Sequence, residues 1–192
     1  MALAEKQSPR ERLLQAADQL FYAEGIQSVG IDRVIERAGV AKASLYSSFG
    51  SKEELVRAYL DERHQRLLAR RRRAAESADS PANAILAMFD QMGSEMKRPE
   101  YNGCAFSRAT AETPEGGVIN DAADRWRADI LALYREYAAA AGASDPNGLA
   151  IQLRMLADGG SQAGKLDRDP ALPGLLRQAV QALLDAELPT PR

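Results

Sequence analysis

Apolar residues recur at three- and four-residue spacing along almost the whole chain, and glycines and prolines cut that pattern into segments. Leu13, Leu14, Ala17, Leu20 and Phe21 stripe a helix over about Pro9 to Glu24, closed by Gly25. Two short helices follow, Ile31 to Ala38 and about Lys42 to Ser48, with Gly39 between them. A long helix starts at Ser51 and meets no breaker until about Ser77, lined by Leu55, Val56, Tyr59, Leu60, Leu67 and Leu68. Further stripes predict helices over about Pro81 to Lys97, Cys104 to Glu112, Val118 to Ala141 and Pro146 to Lys165. A last helix begins between Pro170 and Pro173 and ends near Glu187. No segment alternates as a strand does, so the pattern predicts an all-α chain of about nine helices.

The starts carry their own signals. Ser8-Pro9, Ser80-Pro81, Asp145-Pro146 and Asp169-Pro170 each place a side-chain acceptor before a proline that needs no hydrogen-bond partner at the first helical position. Ser8 with Glu11, and Ser51 with Glu54, read as capping boxes. The final Pro-Thr-Pro-Arg is expected to fray.

Charge divides the pattern into two. Residues 1–73 hold 14 Lys/Arg against 10 Asp/Glu, and the remainder holds 11 against 17. A basic first part and an acidic second part suggest two tasks, only the first of which faces phosphate. One cysteine excludes an internal disulfide, and one histidine beside it leaves little for a zinc site. No apolar run approaches the ~20 residues of a membrane span, and the N-terminus lacks a signal-peptide core, so a cytoplasmic protein without a membrane partner is expected. No nucleophile–base pair, phosphate loop or metal spacing marks an enzyme, and neither cofactor nor metal is expected. Arg70 to Arg73 read as a solvated face near a helix C-terminus, where they suit the dipole. His64 is expected to be half exposed and inert.

Ile31 to Phe49 is the segment with the most specific chemistry. Ile31, Val34, Ile35 and Ala38 face inward on the first short helix, and Gly39 is suited to the left-handed backbone that ends it. The second short helix turns Leu45 and Phe49 inward and leaves Lys42, Ser44, Tyr46, Ser47 and Ser48 on its other faces. Two short helices about a glycine turn form the helix-turn-helix, whose second helix enters the major groove. By itself the segment is more often an ordinary helical corner.

Its flanks decide between these readings. Leu14, Ala16, Ala17, Phe21 and Gly25, then Ile35, Ala38-Gly39-Val40, Lys42, Leu45-Tyr46, Phe49 and Ser51-Lys52-Glu53-Glu54-Leu55 resemble the DNA-binding domain of tetracycline-repressor-like (TetR) transcriptional regulators. The resemblance implies a DNA-binding domain over residues 8–54, with its helix-turn-helix at 31–49, and a ligand-binding and dimerisation domain over 55–188. It places Lys42, Ala43, Ser44, Tyr46 and Ser47 on the DNA-reading helix, with Tyr46 and Lys52 on phosphate and Gly30 starting the preceding helix near the backbone. Ala41 stands where the family often has a capping serine or threonine, Ala43 where glycine is frequent, and Ser47-Ser48 where bulkier residues are usual, which leaves the operator sequence open.

The same resemblance implies a homodimer on a double-stranded DNA operator, released by a small-molecule effector. Gly159, Gly160, Ala163, Leu176, Val180 and Leu183 are the expected dimer contacts. Phe89, Met92, Met96, Cys104, Phe106, Arg108, Trp126, Ile130, Tyr134 and Met155 are candidates for the ligand pocket, although a methionine or aromatic at helical spacing is more often plain core. Two other readings stand beside the ligand-responsive repressor. One is a small-molecule-binding or scaffold protein without DNA binding. The other is a repressor that senses oxidants or electrophiles through Cys104, with Lys165 expected nearby.

Overall fold

The expected caps start most of the helices. In a computed structural model that describes residues 7–113 and 116–189, Ser8 Oγ accepts from Glu11 N and the Glu11 carboxylate accepts in return, completing the capping box of α1 (Pro9–Glu24). Gly30 and Ala41 precede α2 (Ile31–Ala38) and α3 (Lys42–Phe49) without side-chain caps. Ser51 Oγ accepts from Glu54 N at the start of α4 (Lys52–Glu76), but the Glu54 carboxylate pairs with Arg57, so the second box is only half made. Ser80 caps α5 (Pro81–Met96), and Asp145 caps α8 (Pro146–Leu166). Between them lie α6 (Ala105–Ala111) and α7 (Gly117–Ala140). Asp169-Pro170 does not open α9 (Leu172–Glu187): Asp169 Oδ1 accepts from Ala171 N in a preceding turn, and Pro173 occupies the first helical turn. The described residues contain these nine helices and no strand. Residues 190–192, most of the expected frayed end, lie outside the described part.

The chain packs as two units. The first holds the chain through His64 together with Ala105–Ala123, and is therefore larger than residues 8–54. α1 crosses both α2 and α3 here, around fully buried Leu13, Ala17, Val29, Val34, Leu45, Leu55 and Leu60. Phe21 meets Tyr59 edge-on at 5.5 Å. His64 is not half exposed but buried, edge-on to Phe106. α1 has no basic residue in its last turn, and Arg108 of α6 supplies that charge, donating to Tyr22 O at 2.9 Å and Ala23 O at 3.3 Å. Its Nε holds Glu112 at 3.0 Å, and Glu112 fills the space a Cβ at Gly25 would need. Arg108 is thus committed to the protein itself, not left exposed.

The second unit holds Gln65–Cys104 and the chain from Asp124 onward. α5 packs on α9 and α8, burying Ile85, Met88, Phe89, Leu133, Tyr134, Leu149, Leu153 and Val180. Glycines set the approach distances. A Cβ at Gly93 would lie 2.9 Å from Pro173 Cβ, and one at Gly160 would lie 2.7 Å from Leu176 Cδ2. α8 runs unbroken through Gly159-Gly160, and Gly160 serves the chain's own α8–α9 contact.

The arginine run is a solvated face only at Arg72 and Arg73. Arg71 is buried, and with Arg70 it grips the buried Glu95, while Gln91 Nε2 donates to the same carboxylate at 2.7 Å. Burial alone would raise the Glu95 pKa, but Arg71, Gln91 and Arg70 together bring it below the ordinary 4.5. The cluster therefore contributes its full stability above the unfolded value and loses it as pH falls through the lower folded value. Glu95→Gln is expected to cost about 3 kcal/mol at neutral pH, because two arginines lose their counter-charge. Urea denaturation at pH 7 and pH 3 checks this, the gap between variant and parent closing at the lower pH.

Candidate nucleic-acid interface

The turn between α2 and α3 is held at one atom. Gly39 adopts φ 60°, ψ 44°, and its N–H closes on Glu36 O and Ile35 O. Arg12, reaching across from α1, donates through Nη2 to Gly39 O at 2.9 Å and occupies the space beside the missing side chain. Leu45 is wholly buried and fixes the rotation of α3 about its own axis. On an eight-residue helix, one inward leucine decides which side chains face out.

Those outward residues are Lys42, Ala43, Tyr46 and Ser47, with Ser44 partly covered. Tyr46 is 49% exposed, unusual for a large aromatic ring. Its hydroxyl is suited to phosphate and its ring edge to a groove wall. Lys42 Nζ lies 2.9 Å from Asp32 Oδ1, and that hydrogen bond, the Asp32 charge and Tyr46 raise its pKa. Ser47 Oγ donates to Ser44 O at 3.2 Å. Gly30 caps α2 in an extended conformation with open space where a Cβ would be. Lys52 is half-buried instead of reaching outward: Nζ donates to Ile26 O at 3.0 Å, and desolvation lowers its pKa. It ties the start of α4 to the loop after α1. Arg10, stacked 5.1 Å over Phe49, brings a second cation to the end of α3. That contribution went unread in the sequence, where a basic residue beside a helix cap looks like any solvated charge.

A mostly polar, partly cationic helix face carrying hydroxyls, held rigid from behind, is what a duplex groove requires. Comparison with known proteins agrees. Residues 13–59 match the family described as bacterial regulatory proteins, tetR family. A TetR-family transcriptional regulator of Streptomyces coelicolor, SCO4454, superposes with a TM-score of 0.87 at 34% identity, over 93% of this chain and 95% of that one. The chain belongs to the TetR family. The regulator TtgR of Pseudomonas putida is 36% identical over 97 residues, 48% of this chain, and the match spans 44% of TtgR, less than half the length of that curated relative. The TetR-family regulator CifR, solved as a cysteine mutant with 26 bp of double-strand operator DNA, is 26% identical with a TM-score of 0.78, over 97% of this chain and 99% of that one. These relatives are DNA-binding transcriptional regulators, not enzymes.

The residues expected around a TetR-type ligand pocket fall into separate places. Phe89, Met92, Ile130 and Tyr134 are buried together in the second unit, with Phe89 stacked on Tyr134 at 5.7 Å. Met96 and Trp126 pack against that core half-buried. Phe106 and Arg108 belong to the first unit. Arg108 lines a crevice there with Phe21, Tyr22, Gly25, Tyr59 and Glu112, whose volume of about 10 Å³ admits about one water. Cys104 is half-buried, and Met155 is 64% exposed on α8.

The expected dimer residues also divide. Leu176 and Val180 are buried in the chain's own core, and Leu183 packs half-buried against it, because α9 turns that stripe onto α5 and α8. Gly159 is exposed and Ala163 half-buried. The apolar residues that do face out are Ile151, Met155 and Leu166 on α8 and Leu175 on α9.

Gly39→Ala is expected to destabilise the protein by about 1–2 kcal/mol, since alanine resists the left-handed backbone there. Urea denaturation reads this, and an unchanged midpoint would contradict the turn's role.

Proposed function

We propose that the protein is a homodimeric, effector-responsive repressor that binds a palindromic operator in the cytoplasm. The exposed face of α3, with Lys42, Tyr46 and Ser47 opposite buried Leu45, carries the reading. Residues 8–54 would supply the DNA-binding domain, and 55–188 the effector and dimer functions. No helix among the described residues is long and apolar enough to cross a membrane.

Dimerisation is supported by the face left uncovered. Ile151, Met155, Gly159 and Leu166 follow one side of α8, and Leu175, Ala179 and Ala182 one side of α9. Single exposed apolar residues are ordinary, but two adjoining helices carrying such rows favour a second copy. Two-fold pairing would set the reading helices about 34–36 Å apart, one turn of duplex. α4 contributes to both units, Lys52–His64 to one and Gln65–Glu76 to the other. An effector that binds better when the reading helices are wrongly spaced would lower operator affinity by population shift, with α4 as the lever.

A repressor that senses electrophiles through Cys104 is the second reading. The alkyl stem of Lys165 lies across Gly103, with Cδ 3.3 Å from where a Cβ would be, so a cation's side chain adjoins the residue before a half-buried thiol.

Selection from random duplex DNA is expected to enrich a palindrome with half-sites about one helical turn apart. Met155→Asp with Leu175→Asp is expected to give monomers in sedimentation and at least tenfold weaker operator binding (about 1.4 kcal/mol or more). Enrichment of a single half-site, or tight binding by the monomeric variant, would refute the dimer. For the second reading, Cys104→Ser should stay on the operator in the presence of an alkylating electrophile that releases the parent. Equal release of both removes it.

A further inference from the structure

The geometry points to Asp32 as a specificity-determining residue, one that holds Lys42 as an internal counter-ion on unrelated DNA and reads a cytosine amino group on the operator. The inference rests on α3 being the groove-facing helix and goes beyond that assignment to a residue on the neighbouring α2.

Three observations carry it. Lys42 is the one cationic residue of α3, so the reading helix's own positive charge sits at that side chain. Asp32 Oδ1 takes that charge at 2.9 Å, and both side chains are open to solvent, 60% for Lys42 and 78% for Asp32. The carboxylate therefore stands beside the ammonium on the outward side of α3, from α2, where burial plays no part in holding it. An exposed pair of this kind contributes little to stability, and a stability role does not account for it.

Its electrostatics matter only when DNA arrives. A phosphate that approaches Lys42 on unrelated duplex meets a carboxylate within hydrogen-bond distance of the same ammonium. Like charges oppose the approach, and a lysine already neutralised by Asp32 releases fewer of the cations condensed on the DNA. The major-groove edge of a G·C pair is different. It offers guanine N7 and O6 as acceptors beside the cytosine N4 amino group as donor. A lysine and an aspartate side by side match that edge: the ammonium donates to O6 and N7, and the carboxylate accepts from N4. The penalty against unrelated DNA is cancelled only where such a pair lies under Lys42. Attraction to the right sequence and repulsion from the wrong one then come from a single ion pair.

Asp32→Asn keeps size and hydrogen-bonding capacity and removes the charge. Binding is measured for parent and variant on two duplexes of equal length, the palindrome selected by the parent and a scrambled one, across a range of salt. The variant is expected to bind the scrambled duplex at least about threefold more tightly, with its salt slope steeper by about one counter-ion. Binding to the selected palindrome should gain less, so the ratio between the two falls. In a selection repeated with Asp32→Asn, one G·C pair fixed in each parental half-site should become variable. With Lys42→Gln already in place, Asp32→Asn should leave the salt slope unchanged, any remaining gain in affinity being lost repulsion alone, which separates the pair from a general charge effect. An unaltered ratio and motif would overturn the role of Asp32, as would an equal gain on both duplexes. Failure of the parent to select any duplex would overturn the groove-facing assignment itself, and this inference with it.

Discussion

The left-handed turn at Gly39, clamped by Arg12, is the constraint on which the interface depends. A helix of eight residues has little stability of its own. α3 also lacks a side-chain cap at Ala41. Its position is imposed from outside: the turn sets where it starts, Leu45 sets its rotation, and Phe49 under Arg10 sets its end. The first and last of these contacts come from α1, which also packs on α3, so α1 serves as the platform against which the reading helix is aligned. The missing cap, normally worth ~1 kcal/mol, is tolerable because tertiary contacts hold the helix.

Ion pairs play two different parts in this protein. Pairs such as Lys42–Asp32 and Arg33–Glu24 are open to water, contribute little to folding, and remain free to exchange partners. In the second unit, Arg71 and Glu95 are buried, and each would be costly alone. Acid pH therefore acts on the second unit through Glu95, whereas salt acts on the first through its exposed cations.

Periodicity made the helices legible, because each buries one stripe and glycine or proline marks most ends. The turn was legible from Gly39 and the inward face of α3 from Leu45. What the sequence concealed was pairing over distance. Four consecutive arginines look like a solvated face until Glu95, over twenty residues away, is seen between two of them. Lys52 looks like a phosphate ligand until Ile26 O is found at its tip. Gly160, Leu176 and Val180 have the composition of an interface between copies, and small residues serve equally well inside one chain, as they do here. Asp169-Pro170 carried a start signal that a turn used instead. In each case the local pattern was visible in the sequence and the partner that decides its role was supplied by the fold.

The central claim is that the outward face of α3 lies in the major groove of duplex DNA. Site-specific photo-cross-linking tests it most directly. A photoreactive side chain placed at Ser47, on that face, is irradiated in the presence of the selected palindrome, and the captured nucleotides are mapped. The account predicts adducts to bases within both half-sites, lost at high salt, and none from the same group placed at exposed Asp185 on α9. Adducts from Asp185 but not Ser47, or none from Ser47 on a duplex the protein demonstrably binds, would contradict it.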